Sequence, residues 1–83
     1  MTPIASFANS YETLNVYPSG VEFFFSPNNR TENMWFPKWS IDHVETHRDD
    51  EQLVIWAGGK TGIYFGSDYD QPYAAIINML SVA

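Results

Sequence analysis

The chain has 83 residues, of which ten are acidic and four are basic, and its formal net charge is −6. This surplus of negative charge excludes a broad electrostatic footprint for a phosphate backbone, so direct nucleic-acid binding is not expected and a basic partner is favoured. The absence of cysteine excludes thiol redox chemistry, cysteine-type zinc sites and a cysteine nucleophile, and it fits a reducing, cytoplasmic environment.

Two alternating segments near the start of the chain predict a β-hairpin. Apolar and polar residues alternate along 11–17 (YETLNVY) and again along 20–25 (GVEFFF), as they do in half-buried strands. The intervening YPSG has turn chemistry, because Pro18 fixes the backbone of the second turn position. The alternation also makes Phe24 face away from the side on which its two phenylalanine neighbours lie.

The next segment, 26–33 (SPNNRTEN), predicts a polar loop. It is rich in Ser, Asn and Pro, which favour turns over regular structure. Pro27 and Pro37 bracket the loop and the residues after it, and they disfavour a helix between them.

An aromatic cluster follows this loop. The segment MWFPKW (34–39) places four large apolar side chains within six residues: Met34, Trp35, Phe36 and Trp39. In an alternating strand these side chains cannot all point inward, so some are expected on the surface. Exposed Trp, Met and Phe beside polar residues are typical anchors of protein interfaces, and we expect this cluster to bind a partner. The alternative is that the segment covers an open end of the core and buries most of its rings.

A tight turn and further strands are predicted between residues 39 and 66. The apolar residues of 39–43 do not keep a two-residue period, which indicates a tight turn that leads into a strand near 44–47. The segments 52–57 (QLVIWA) and 61–66 (TGIYFG) flank a glycine-bearing turn, and together they predict a second hairpin.

The period of the apolar pattern changes near the end of the chain. Four residues follow the i, i+3, i+4, i+7 spacing of a helix with one buried stripe: Tyr73, Ile76, Ile77 and Leu80. The spacing predicts a helix over 70–81. The free amides of its first turn could be capped by Ser67, Asp68 or Asp70.

These elements predict an α+β fold. About five strands, including the two hairpins, form a curved antiparallel sheet, and the C-terminal amphipathic helix closes it by packing its apolar stripe on one face. The chain has no internal repeat and no dividing linker, so residues 1–83 are expected to form a single domain. Its small core draws on six Phe, five Tyr and three Trp. No apolar run is long enough to span a membrane, and no membrane partner is expected.

The pattern FPKWSIDHVE…QLVIWAGG…GIYFGSDYDQPYAAIINML, within residues 36–82, resembles the later half of PH-like domains of the GRAM and bacterial PH kind. In that family a short turn with a hydrophobic pair precedes two or three strands, and an amphipathic C-terminal helix closes one end of a strongly bent sheet. The resemblance implies a small PH-like half-barrel that binds protein or lipid head groups rather than an enzyme. Phosphoinositide binding would need a basic pocket in the first hairpin loop, and YPSG contains no cation.

The two histidines of SIDHVETHRDDEQLVIW (40–56) do not predict a metal site. The glutamate of an HExxH motif is absent, because Val44 follows His43. On an extended strand His43 and His47 would lie roughly 13 Å apart, which is too far to share one ion. We expect both at the surface or rim, where histidines in general respond to pH between about 5 and 8.

No catalytic constellation is predicted. Asp42, His43 or Glu45 could supply an acid–base pair, but such a pair needs one member in a dry pocket, and carboxylates in a charged, turn-rich run are usually solvated. The segment AGGKTG (57–62) contains the GKT of a phosphate loop but has Ile55 where the first glycine belongs, so it predicts a hairpin turn instead. We therefore expect no enzyme, no cofactor and no metal.

Seven carboxylates could form a continuous acidic surface. Five lie along DHVETHRDDE and two lie near the helix start: Asp42, Glu45, Asp49, Asp50, Glu51, Asp68 and Asp70. Same-face residues of a strand repeat every ~7 Å, which is of the order of the phosphate spacing in nucleic acid, so mimicry of DNA could be their role. Phage anti-defence proteins, such as anti-CRISPR and anti-restriction inhibitors, act in this way. The alternative is that these charges protect a sheet edge and maintain solubility.

The preferred hypothesis is a small acidic, non-enzymatic protein-binding module that acts as an adaptor or an inhibitor. The aromatic residues of 34–39 would anchor a protein partner, and the carboxylates would steer its basic surface toward them. The second hypothesis is an inhibitor that occupies a nucleic-acid groove. The third is a subunit of a homo-oligomeric assembly, with Phe24 or Trp56 on the contact face.

Overall fold

The computed structural model describes residues 2–9, 12–25 and 33–82 and has an α+β fold. Four strands form the first sheet, in the order β1-β2-β3-β4: β1 Ala5–Ala8, β2 Glu12–Tyr17, β3 Gly20–Phe25 and β4 Asn33–Pro37. Three strands form the second sheet, in the order β5-β6-β7: β5 Ile41–His47, β6 Gln52–Ala57 and β7 Lys60–Phe65. Neighbouring strands are antiparallel, and the helix α1, Asp70–Ser81, follows the second sheet.

The α+β class, the two hairpins and the C-terminal helix are confirmed, whereas the prediction of one sheet of about five strands is wrong. Two strands of the first sheet escape the sequence pattern. β1 is only four residues long, and β4 ends at Pro37, which cannot donate a backbone hydrogen bond and therefore weakens a strand prediction. The predicted loop over 26–33 lies outside the described residues except for Asn33, which begins β4.

A 3₁₀ helix, Lys38–Ser40, connects the two sheets. The Ser40 hydroxyl donates a hydrogen bond to the Pro37 carbonyl oxygen (2.8 Å), which stabilises this single turn. This turn begins one residue before the predicted range 39–43 and ends within it. As a result, β5 begins three residues earlier than the strand predicted near 44–47.

The core lies between the two sheets and against α1. It is one cluster of buried side chains from both sheets and the helix: Leu14, Val16, Val21, Phe23, Phe36, Val44, Leu53, Ile55, Ala57, Tyr64, Ile76 and Met79. The sheets approach closely where the ring of Phe36 in β4 packs on Gly62 in β7. A Cβ atom placed at Gly62 would lie 3.0 Å from that ring, so the glycine leaves the space that the ring fills.

The helix α1 presents its buried residues Ile76 and Met79 to the core. The other members of the predicted stripe pack against the core while remaining partly exposed: Tyr73, Ile77 and Leu80. The apolar stripe is therefore present and centred on Ile76. Of the helices in the described part of the chain, none combines the length and the apolar character needed to cross a membrane.

A polar contact joins the first sheet to the end of β7. Glu12 is only 6% exposed, and its carboxylate accepts hydrogen bonds from the Phe65 backbone N–H (3.3 Å) and from the Asn9 side-chain amide (2.8 Å). The Asn9 amide also donates to the Phe65 carbonyl oxygen. These bonds satisfy a buried carboxylate and hold the chain before β2 against the last residue of β7.

The start of α1 differs from the predicted capping. Tyr69 occupies the N-cap position and makes no capping side-chain hydrogen bond, so Ser67, Asp68 and Asp70 are wrong as predicted caps. The Asp68 carboxylate instead accepts a hydrogen bond from the fully buried Tyr64 hydroxyl (3.3 Å). Burial, followed by the negative charge of Asp68, raises the pKa of Tyr64 from 10.0 to about 12.

The raised pKa of Tyr64 predicts a loss of stability in alkaline solution. The unfolded chain releases this proton at a lower pH than the folded protein does, so the stabilisation is complete below about pH 10 and declines as the pH rises toward 12. The Tyr64→Phe variant removes this ionisation, and its thermal midpoint should fall less steeply across that window. Circular dichroism melts over the window check this, with Tyr73→Phe as a control that should keep the wild-type slope.

Candidate functional site

The structure divides the predicted aromatic cluster between the core and the surface. Phe36 is fully buried, so its assignment as a partner-binding residue is wrong, and Met34 is partly buried against the core. Trp35 is 39% exposed and Trp39 is 87% exposed. The division follows the period of β4, in which successive side chains face opposite sides of the sheet, while Trp39 lies beyond the strand.

Trp35 stands on the outer face of the first sheet. Its ring packs edge-on against Tyr17, with the ring centroids 6.0 Å apart. A Cβ atom at Gly20 would lie 2.9 Å from the Trp35 side chain, so the ring rests directly on that glycine. The Lys60 ammonium donates a hydrogen bond to the Trp35 carbonyl oxygen (3.0 Å). These contacts hold Trp35 in place although much of its ring remains in solvent.

Trp39 is the most exposed tryptophan of the chain. It belongs to the 3₁₀ helix between the two sheets, next to Lys38, whose ammonium donates a hydrogen bond to the Val82 carbonyl oxygen just after α1. A tryptophan has few rotatable bonds, so its ordering in a complex costs little entropy for the area that it can bury. Trp39 is therefore suited to act as an anchor.

The predicted carboxylates of β5 and the following turn do not form one continuous ridge. Asp42 lies at a β-bulge near the start of β5, where its carboxylate accepts a hydrogen bond from the Gly58 backbone N–H (3.3 Å). Three others lie in the turn at the opposite end of the β5–β6 hairpin: Asp49, Asp50 and Glu51. The rise of the strand separates the two positions by roughly 20 Å. Glu45 lies between them on β5.

The remaining two carboxylates join the group at the end of the hairpin. The backbone N–H of Gly66 donates to the Glu51 carbonyl oxygen (3.0 Å), which brings the chain between β7 and α1 to this end of the second sheet. That connection contains Asp68, and α1 begins with Asp70. We call this group the acidic end: Asp49, Asp50, Glu51, Asp68 and Asp70. It gathers five of the seven predicted carboxylates, although Asp68 is engaged by the Tyr64 hydroxyl.

A further surface, the outer face of the second sheet, is not singled out by the sequence reasoning. Strand register places nine residues on it: His43, Glu45, His47, Gln52, Val54, Trp56, Thr61, Ile63 and Phe65. Trp56 is 46% exposed and Phe65 is 47% exposed. Val54 faces outward with them yet is only 4% exposed, and it does not belong to the core cluster. The signal was available in LVIWA (53–57), where residues of both strand faces are apolar.

Glu45 is the centre of a polar network on this outer face. Its Oε1 accepts a hydrogen bond from the Trp56 indole N–H (2.8 Å), and its Oε2 lies 3.5 Å from Nε2 of His47 and 3.9 Å from Nε2 of His43. The Trp56 hydrogen bond, and then the imidazole charges, lower the pKa of Glu45. Glu45 is therefore ionised at neutral pH, and it fixes the orientation of the Trp56 ring.

The network can position an aromatic ring beside a carboxylate. Both imidazoles lean toward the same carboxylate oxygen, so the two histidines are oriented by Glu45 rather than simply exposed. Within residues 2–9, 12–25 and 33–82, no three His, Cys, Asp or Glu side chains are arranged to hold a metal ion.

All three tryptophans of the chain lie outside its core. Their exposed fractions range from 39% to 87%, whereas the three largest fully buried side chains among the residues that the structure describes are Tyr64, Phe23 and Phe36. Tryptophan is usually among the most deeply covered residues of a folded protein. Comparisons of the chain with protein-family models, with curated proteins and with solved structures find no match. The exposed tryptophans and the charges around them are therefore the basis for assigning a function.

Proposed function

We propose that this protein is a non-enzymatic protein-binding module, an adaptor or an inhibitor, that uses exposed tryptophans as anchors for a partner with a basic surface. The observation that carries the proposal is that no tryptophan contributes to the core. Full burial of one tryptophan would contribute on the order of 4 kcal/mol of hydrophobic stabilisation. An 83-residue chain has a small core, and leaving all three rings outside it is costly unless a partner covers them.

The charge of the protein supports a basic partner. The net charge of −6 raises the encounter rate with a positively charged surface, and the acidic end concentrates part of that charge. Exposed charges of this kind act mainly on association and are screened by salt. The tryptophans would then supply most of the affinity, and the carboxylates would supply rate and orientation.

Mimicry of nucleic acid is the alternative for the same carboxylates. The position of Asp42, roughly 20 Å along β5 from the turn that carries Asp49, argues against one regular row of charges. The hydrogen bond from the Tyr64 hydroxyl to Asp68 also argues against mimicry, because it uses one of the carboxylates inside the protein. A homo-oligomer is a third alternative, and the net charge of −6 on every copy opposes it. The packing of α1 against strands of both sheets supports the proposal of a PH-like half-barrel, in which the helix closes one end.

The Trp39→Ala variant should bind the partner at least about 30-fold more weakly, a loss of about 2 kcal/mol that is typical of a central interface tryptophan. Its fold should be unchanged, because a side chain that is 87% exposed contributes little to stability. The test uses the full chain as bait, identifies the proteins that it retains from the native host, and measures Kd for the purified partner by calorimetry.

The matched control is Ile4→Ala, which removes an apolar side chain that is 60% exposed and lies before β1 rather than in the 3₁₀ helix that carries Trp39. Equal affinities of the wild-type and Trp39→Ala proteins would contradict the assignment of Trp39 as an anchor. A triple charge reversal of Asp49, Asp50 and Glu51 to Lys separates protein binding from mimicry. An aromatic interface should lose mainly association rate, whereas a nucleic-acid mimic should lose binding and show steep salt sensitivity.

A further inference from the structure

We infer that the outer face of the second sheet is a docking surface for a protein segment that carries an arginine or a lysine beside an apolar side chain, and that protonation of His43 and His47 releases this segment. The inference rests on the proposed function, because it names the surface and the chemistry of the partner. It goes beyond the proposed function because it makes binding depend on pH, which exposed tryptophans alone do not imply.

The apolar part of the docking surface is already assembled. Trp56 and Phe65 each expose nearly half of their surface. In β7, Ile63 lies between Phe65 and Thr61, and Thr61 is the register partner of Trp56. Val54 lies on the same face and is only 4% exposed, although it does not belong to the core cluster. The side chains of this face therefore pack into a layer of their own, and an apolar side chain of a partner would extend that layer.

The charge on this face selects a cation. Glu45 holds the Trp56 indole N–H with Oε1 at 2.8 Å, which places a carboxylate beside an exposed ring. A guanidinium or ammonium group on that ring would gain a cation–π contact and an ion pair with Glu45 together. Lys38 and Lys60 do not fill this role, because their ammonium groups donate to the backbone carbonyls of Val82 and Trp35.

The two histidines can cancel this attraction. Their Nε2 atoms lie 3.5 and 3.9 Å from Oε2 of Glu45, and histidines in general gain a proton as the pH falls from about 8 to 5. One proton on each imidazole would change the charge of the three side chains from −1 to +1. Residues of β6 and β7 on this face are uncharged, and the charged residues next to it in the chain are Asp42, Arg48, Glu51 and Lys60. Protonation therefore reverses the sign of the charge at the centre of the face.

The occupant is a basic partner rather than a second copy of the chain. Two copies would bring together faces that each carry an ionised Glu45 at neutral pH, on molecules that each have a net charge of −6. A partner segment with one cation is instead attracted to this face, because its positive charge complements the negative charge of Glu45.

The experiment uses NMR spectra of the full chain, in which Trp56→Phe assigns the Trp56 indole signal among the three tryptophans. The probes are the peptides acetyl-Leu-Arg-Leu-amide and the same peptide with citrulline, an uncharged analogue of arginine. At about pH 7.5 the arginine peptide should shift the Trp56 indole signal, with an affinity about five-fold higher than that of the citrulline peptide. At about pH 5.5 the arginine peptide should bind about five-fold more weakly than at neutral pH.

Two variants make the test specific. Glu45→Gln keeps an oxygen that can accept the Trp56 hydrogen bond but removes the charge. It should therefore lose the ion pair with arginine and discriminate less between the two peptides than the wild-type protein does, while the cation–π contact with Trp56 remains. The double variant His43→Gln, His47→Gln should bind the arginine peptide equally at both pH values. Equal binding of the two peptides to the wild-type protein, or pH dependence that persists in the double variant, would overturn the inference.

Further outcomes separate this inference from the proposed function. Loss of partner capture in Trp39→Ala, together with a Trp56 signal that neither peptide shifts, would retain the proposed function and overturn the docking surface. A Trp56 signal that depends on protein concentration without peptide would instead identify a second copy as the occupant and overturn the choice of a basic segment. A chain that retains no partner while the Trp56 test succeeds would overturn the proposed function alone.

Discussion

Alanine at Phe36 should lower the free energy of unfolding by about 3 to 5 kcal/mol, which is a large part of the about 4 to 12 kcal/mol expected for a domain of this size. Phe36 is fully buried, and its ring packs on Gly62, which has no side chain that could move into the space. The variant would therefore leave a cavity between the two sheets. Chemical denaturation followed by tryptophan fluorescence measures the loss.

The matched control is Phe65→Ala, which removes the same type of side chain from a position that is 47% exposed. Its cost should stay below about 1.5 kcal/mol, because only part of the ring leaves a packed environment. Similar losses for the two variants would contradict the assignment of Phe36 to the core. A larger loss for Phe36→Ala would support the position of Phe36 in the core rather than on a partner-binding surface.

Alanine at Gly20 should destabilise the protein by about 3 kcal/mol, the upper part of the range for overpacked sites. A Cβ atom there would lie 2.3 Å from the Phe36 carbonyl oxygen and 2.9 Å from the Trp35 ring. The first contact involves the backbone of β4, which cannot yield without disturbing its pairing with β3. Thermal unfolding should show a fall in Tm of more than about 10 °C.

Gly58→Ala is the matched control for this clash. Gly58 has a positive φ of 54°, but a Cβ atom at that position meets nothing within 4 Å. Its replacement should therefore cost only about 1 kcal/mol, the strain of a left-handed residue. If Gly58→Ala were as damaging as Gly20→Ala, the close approach of β4 to Gly20 would not be the cause.

Local pattern predicts the elements of this fold better than it predicts their assembly. The helix is found at 70–81 because its apolar spacing and its length are both distinctive, and the strand at 52–57 is found from its bounding turns. The division into two sheets is not predictable in this way. It depends on Lys38–Ser40, a single turn that separates β4 from β5. Sequence pattern does not show that the chain leaves one sheet there and starts another, because this depends on which strands pair.

The surface is less predictable than the elements. Strand period correctly requires some of the residues 34–39 to be exposed, but it does not say which side of β4 faces the core, and so Phe36 is misassigned. The sequence predicts Trp56 only as a residue of a homo-oligomeric contact. LVIWA is apolar on both faces of the strand, so the pattern does not show which of its side chains face the core. Asp42 and Asp49 are close in sequence but lie at opposite ends of a strand, a separation that requires the strand to be fully extended.

The hydrogen bonds of Asn9 and Glu12 to the backbone of Phe65 have a consequence for aggregation. β7 is the last strand of its sheet, and the N–H and carbonyl groups of Phe65 could otherwise recruit a strand from another molecule. The side chains of Glu12 in β2 and of Asn9 just before it already use both groups, so neither group is open to a strand of another molecule. This end of β7 is therefore protected against intermolecular strand pairing, although aromatic rings are exposed on the adjoining face.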